Sequence, residues 1–163
     1  MRVALITVSD RSARGEREDC TGPTLAEAVA ADGAEVVHRA VVSDDEDGLV
    51  ELLSALADGR VVDPPPDVVI SAGGTGIAPR DRAPEALERV AQRLVPGIGE
   101  ALRAAGRERV PTAALSRSAA GVRGRTLLVA LPGSPGGARD GWAVLAPLVA
   151  HVRDQLHGAD HPV

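Results

Sequence analysis

Three short runs of branched apolar residues, Val3 to Val8, Val68 to Ala72 and Thr126 to Leu131, each stop abruptly at a polar or glycine-rich turn. Runs of this length, without polar alternation, are the pattern of strands covered on both faces. Between them lie stretches with apolar residues at helical spacing. Leu49, Leu52, Leu53 and Leu56 form an i, i+3, i+4, i+7 stripe closed by Gly59. The stripe recurs at Leu87, Val90, Ala91 and Leu94 and again at Ile98, Ala101, Leu102 and Ala105, with Pro96-Gly97 separating the two helices. Glu35 to Val42 reads as another strand, Thr24 to Ala31 as a short helix, and Ser12 to Pro23 as a polar loop. A closing helix runs through Trp142, Leu145, Val149 and Leu156, kinked or restarted at Pro147. Strands alternating with helices in this way predict an α/β three-layer αβα sandwich, a mostly parallel sheet with helices on both faces. The 163 residues suffice for a single domain, 1–163.

In such sheets ligands sit beyond the carboxyl ends of the strands. The turns Ser9-Asp10, Gly73-Gly74-Thr75-Gly76 and Pro132-Gly133-Ser134-Pro135 are therefore expected to meet at one mouth. Glycines directly after a buried strand let the backbone approach a ligand, and their N–H groups can turn inward as an anion cradle. Arg80 and Asp81 follow, just before a helix with Pro84 in its first turn. A tight turn with Asp81 as a stabilising helix charge accounts for the same residues, and spacing alone leaves both readings open. The turn is neither G-x-G-x-x-G nor a P-loop. Ser9 and Asp10 suit either ligand contact or closure of their own turn. The run Asp44 to Asp47 has the plain reading of solvated charge at a helix start. Pro132-Gly133-Ser134 leads into the last helix, whose first N–H groups can face an anion.

Composition narrows the chemistry. All 18 basic residues are Arg, which excludes a Schiff-base lysine, a P-loop lysine and a lysine general base. Phe and Tyr are absent and Trp142 is the one Trp, so base stacking of the kind that reads single-stranded nucleic acid has no platform, and a net charge of −5 points the same way. On its apolar stripe Trp142 suits core or subunit packing better than adenine stacking. Cys20 alone makes no internal disulfide and has no nearby His to activate it, and a reducing cytoplasm is the expected setting. No apolar stretch approaches the length of a membrane span, and no secretory leader is evident. His151, His157 and His161, with Asp154 and Asp160, lack the spacing of a zinc motif and are expected to form an exposed tail.

Four motifs, in order and spanning essentially the whole chain, carry a resemblance. They are T-V-S-D-R from Thr7 with D-x-x-G-P from Asp19, G-G-T-G with R-D and P-E-A from Gly73 to Ala86, A-L-S-R-S-A-A-G-V-R-G from Ala114 to Gly124, and L-P-G-S-P from Leu131. The chain resembles the MogA/MoaB family of molybdenum-cofactor biosynthesis proteins, and is similar to the G domain of gephyrin and of its plant counterpart. The resemblance implies a homotrimer that adenylates molybdopterin with ATP and Mg²⁺, releases pyrophosphate, and passes its product to a molybdenum-insertion protein. It implies Asp81 and Asp44 as catalytic and metal-holding residues, with Asp45 one residue from the second position. Ser9, Asp10, Gly73, Gly74, Thr75, Gly76, Ser116, Ser118, Pro132, Gly133 and Ser134 become the binding set. Arg117, between Ser116 and Ser118, offers a guanidinium suited to a pterin phosphate or pterin edge.

The chain departs from the pattern at one place. Many members carry a Lys soon after the L-P-G-S-P turn, where this chain has Gly136, Gly137 and Ala138, with Arg139 next. Arg139 and Arg123 are the candidates to replace it. The alternative from another class is a non-catalytic molybdopterin-binding scaffold that keeps the fold, and the Arg80-Asp81 pair favours the enzyme. A general nucleotide-binding domain leaves the L-S-R-S and L-P-G-S-P stretches unexplained.

Overall fold

In the computed structural model, which describes residues 1–158, the chain runs β1 (Arg2–Val8), α1 (Asp10–Ala13), α2 (Thr21–Ala31), β2 (Glu35–Val42), α3 (Glu46–Ala57), β3 (Val68–Ala72) and α4 (Ala83–Val90). It continues with β4 (Arg93–Leu94), α5 (Pro96–Arg107), a 3₁₀ turn (Pro111–Leu115), β5 (Ala120–Arg123), β6 (Thr126–Leu131) and α6 (Pro135–Leu156). The sheet order is β2-β1-β3-β6-β5-β4. β2, β1, β3 and β6 pair in parallel, and β5 and β4 add an antiparallel edge. The mostly parallel three-layer sandwich expected from the sequence is the one found.

Alternation along each buried strand divides the core into two layers. Val3 and Leu5 of β1, Val68 and Ile70 of β3 and Leu127 and Val129 of β6 face α2, α5 and α6, where Leu25, Leu102, Trp142 and Leu145 pack. Ala4 and Ile6, Val69, and Leu128 and Ala130 face the other way, onto Leu49, Leu53 and Leu56 of α3 and Leu87 and Val90 of α4. Trp142 is buried and donates its indole N–H to Asp32 Oδ2 at 2.7 Å, so it is a core residue.

Several local expectations need correction. Ser12–Pro23 is not all loop: Ser9 caps α1, and α2 begins three residues early, at Thr21. Asp19 supplies the missing start signal, because its Oδ1 accepts the N–H groups of both Thr21 and Gly22 at 3.0 Å, while Pro23 in the first turn has no N–H to satisfy. Leu94 is not helical. The chain turns extended at Ala91 and Leu94 pairs with Gly121, in a β5 whose short, small-residue sequence gave no strand signal. α6 runs unbroken through Pro147, which lies on its solvent face, where freed carbonyls turn to water. His161 and Asp160 lie outside the described residues; His151, Asp154 and His157 are exposed at the end of α6.

Candidate active site

The carboxyl ends of β1, β3 and β6 lie side by side, and their closing turns meet there as expected. Backbone lies against backbone at this point. A Cβ added to Gly73 would stand 2.1 Å from the carbonyl oxygen of Val8, and one added to Gly133 would stand 2.9 Å from Gly73 Cα. Gly73, at φ 127°, and Gly74, at φ 61°, both occupy conformations that favour glycine. Gly73 is not part of an amide cradle, since its N–H donates to the Leu131 carbonyl at 3.0 Å. Its role is close packing of the strand ends. Thr21 Oγ1 donates to the Gly133 carbonyl at 2.8 Å, tying α2 to the same floor.

On one side of this floor is a charged corner. Asp10 and Asp44 exchange bonds: the Asp10 N–H donates to Asp44 Oδ2 at 2.8 Å, and the Asp44 N–H to Asp10 Oδ1 at 3.0 Å. Arg80 closes the corner with its Nε on Asp10 Oδ2 at 2.7 Å and its Nη2 on Oδ1 at 2.9 Å. Held by Arg80 first and by the Asp44 amide second, the Asp10 carboxyl lies below its ordinary value of 3.8. Arg80 is therefore a partner of Asp10 and makes no side-chain pair with Asp81. Ser9 stays at the turn, its Oγ accepting from the Ser12 N–H at 3.3 Å and from Arg17 at 3.2 Å. Asp45 is spent on capping α3, accepting from the Gly48 N–H at 2.8 Å, which separates it from Asp44.

Two carboxylates flank the glycine turn. Asp44 Oδ1 lies 3.3 Å from where a Cβ on Gly74 would be, and Asp81 Oδ2 only 2.6 Å from the same point on Gly76. Asp81 reaches this position by folding back to accept the Ala78 N–H at 2.8 Å. Among the described residues no group of three or more His, Cys, Asp or Glu side chains is placed to hold a metal ion. Mg²⁺ commonly takes one or two carboxylates and completes its shell with phosphate oxygens and water. The donor set thus fits a cation that arrives on phosphates better than a resident one.

On the other side of the floor a pocket of about 690 Å³ opens. Thr75 and Gly76, Ser116 and Ser118, and Pro132 and Ser134 line it, with Gly136 and Gly137 at the N-terminus of α6. The opposite wall, from α5 and the 3₁₀ turn, is apolar: Leu102, Ala105, Val110 and Leu115 among others. Ser116 Oγ and Ser118 Oγ are 3.0 Å apart, and Ser134 caps α6 by accepting the Gly137 N–H at 3.1 Å. Of the sequence-proposed binding set, Thr75, Gly76, Ser116, Ser118, Pro132 and Ser134 share this pocket. Ser9, Asp10 and Asp44 belong to the corner, Gly73 and Gly133 to the floor, and Gly74 and Asp81 to the turn between.

The arginines depart from expectation. Arg117 does not face the pocket; its guanidinium turns to the backbone of Gly76 and Asp81 and to Glu85. Arg139 does not line the pocket, its Nε lying 3.8 Å from Asp140 Oδ1, and Arg123 is held by Asp58 at the far end of the sheet. The basic residue that lines the pocket is Arg109, its Nη1 3.0 Å from Asp140 Oδ2 on the facing wall. No motif announces it, since it follows α5 as an ordinary charged residue at a helix end.

The family model described as "Probable molybdopterin binding domain" matches residues 4–151. The chain belongs to this family of molybdenum-cofactor biosynthesis proteins. Among the family's curated proteins, the molybdopterin adenylyltransferase of Helicobacter pylori strain J99 is 32% identical over 97% of this chain and 89% of its own length. The molybdenum cofactor biosynthesis bifunctional protein of Synechococcus elongatus is 40% identical over 96% of this chain, which spans about half, 48%, of that relative. Among solved structures, the Thermus thermophilus molybdopterin biosynthesis enzyme MoaB superposes with a TM-score of 0.87 at 42% identity, over 96% of each chain. This member of the molybdopterin-binding family has, among its described residues, no helix long and apolar enough to cross a membrane.

Proposed function

We propose that the chain is a molybdopterin adenylyltransferase. A terminal phosphate oxygen of molybdopterin attacks the α-phosphorus of ATP, a new P–O–P bond forms, the α–β bridging bond breaks, and pyrophosphate leaves with its electrons. No side-chain nucleophile is needed. What such a reaction requires is positioning of two anions and donors for developing charge. The observation that carries the reading is the convergence on one pocket of the glycine turn, the Ser116 and Ser118 hydroxyls and the N-terminus of the long helix α6. Amides and hydroxyls of this kind receive phosphate and pterin edges without lysine.

In this reading Thr75, Gly76, Ser116, Ser118 and Ser134 orient the pterin and its phosphate, and Arg109 supplies the positive charge that the turn after β6 lacks. Asp44 and Asp81, on either side of the glycine turn, would hold the Mg²⁺ that accompanies ATP. That ion neutralises phosphate charge when bound. Asp10 and Arg80 keep Asp44 in place. A homotrimer, a cytoplasmic setting and delivery of adenylated product to a molybdenum-insertion protein complete the proposal, and sedimentation tests the first of these. Incubation with molybdopterin, ATP and Mg²⁺ is expected to yield adenylated molybdopterin and pyrophosphate in equal amounts. Retained pterin binding without product would make the chain a scaffold instead.

A further inference from the structure

Ser116 is extended, at φ −69° and ψ 129°, and the side chains on either side of Arg117 turn the same way, Ser116 Oγ lying 3.0 Å from Ser118 Oγ. Ser116 and Ser118 line the pocket, while Arg117 turns away from it, half-exposed, toward the glycine turn and α4. There its four donors reach three separate segments. Its backbone N–H meets the Thr75 carbonyl at 2.8 Å and its Nε the Gly76 carbonyl at 2.7 Å. Its Nη2 meets the Asp81 carbonyl, and its Nη1 lies 2.5 Å from Glu85 Oε1 in the first turn of α4. One side chain therefore joins the pocket's hydroxyl pair, the glycine turn and the backbone of Asp81.

We propose that Arg117 is a positioning residue for adenylyl transfer, fixing the separation between the group bound at Ser116 and Ser118 and the carboxylate of Asp81. This rests on the reading under "Proposed function". In the glycine turn, residues 73–76, Thr75, which is buried, carries the one side chain, and Asp81 sits at the end of a loop. A planar fork with fixed donor directions holds both carbonyls at once, which a lysine ammonium cannot reproduce. Misplacing a reacting group by about 1 Å costs on the order of a hundredfold in rate. Glu85 completes the device: Arg117 keeps its carboxyl below the ordinary value of 4.5, and the resulting charge pair anchors the fork to α4.

The test compares Arg117→Ala and Arg117→Lys with Arg123→Ala in the full chain. Arg123 is also a doubly hydrogen-bonded arginine, on Asp58, but at the opposite end of β5 from the site. The expected result is a kcat about a hundredfold lower in both Arg117 variants, with KM for molybdopterin and ATP changed less than about threefold. Added guanidinium, well below denaturing concentration, should partly restore turnover to Arg117→Ala and leave Arg117→Lys unchanged. Arg123→Ala should lose a similar amount of thermal stability and keep its kcat. A raised KM with unchanged kcat would make Arg117 a binding contact and overturn the proposal. So would an Arg117→Ala enzyme as fast as Arg123→Ala. An inactive wild-type chain would instead defeat the adenylyltransferase reading, and this inference with it.

Discussion

The two sides of the strand-end floor solve opposite problems. In the corner formed by Asp10, Asp44 and Arg80, charge is plentiful and each carboxylate named has a partner in place: backbone amides, Arg80, or both. Glu46 extends the same economy outward, shared by Arg82 and Arg89. In the pocket, charge is scarce and space is plentiful; among the described residues its lining carries one arginine, Arg109, paired with Asp140, beside a wall of apolar side chains. A prepaired corner resists distortion and sets positions. An open pocket with amides and hydroxyls at its base is free to exchange its contacts for those of a ligand. Arg117 and the glycine turn stand between the two.

This contrast can be broken at its seam. Asp81→Asn, which keeps the shape and the acceptor for Ala78 but removes the charge, is expected to lower turnover by at least about a hundredfold, with unfolding unchanged. Single-turnover measurement of adenylated product checks it, and near-normal turnover would remove Asp81 from the chemistry. Gly73→Ala attacks the floor itself, through the 2.1 Å approach to the Val8 carbonyl at φ 127°. It should cost about 3 kcal/mol of stability, read from the urea midpoint, and disturb corner and pocket together. Arg109→Ala acts on the pocket alone: about tenfold weaker binding of molybdopterin by calorimetry, near 1.4 kcal/mol. Arg139→Ala, whose side chain lies outside the lining, should shift that affinity less than about twofold; equal effects would show that long-range charge, not the pocket contact, matters.

The smallest effect belongs to the corner, in acid. Asp10, Glu46 and Glu85 are all held below their ordinary values, by Arg80, by Arg82 with Arg89, and by Arg117. As pH falls the unfolded chain takes up protons at these groups first, so their contribution is full above the ordinary glutamate value of 4.5 and is lost as pH drops through the lowered values. These pairs are partly exposed and screened by solvent, and each adds little. Melting temperatures from pH 7 down to 3 should decline gently, and a decline that begins well above pH 5 would point to other groups.

The four parallel strands and the mouth shared by three of them were legible in the sequence because branched apolar runs ending in Ser-Asp, Gly-Gly and Pro-Gly leave few alternatives. Directions of side chains were not. Asp44 and Asp45 are adjacent acids before a helix, and only the cap on Gly48 tells them apart. Arg117 between two serines looked like a ligand contact because sequence does not say which alternate residue turns inward. Arg109 gave no signal because it belongs to no motif, and its meaning comes from Asp140, 31 residues away and across the pocket. Leu94 fitted a helical stripe by coincidence of spacing, and tertiary pairing with Gly121 won.

The contact between Gly73 and Gly133 sets a limit on how this candidate site can diversify. Its floor is main chain, identical in chemistry whatever sequence surrounds it, and a side chain grown from either position meets backbone at once. New preferences for a substrate have to be written elsewhere, on α5, the 3₁₀ turn and the loop that carries Arg109. A library aimed at altering what this pocket accepts should spend its diversity on those walls and leave the two glycines alone.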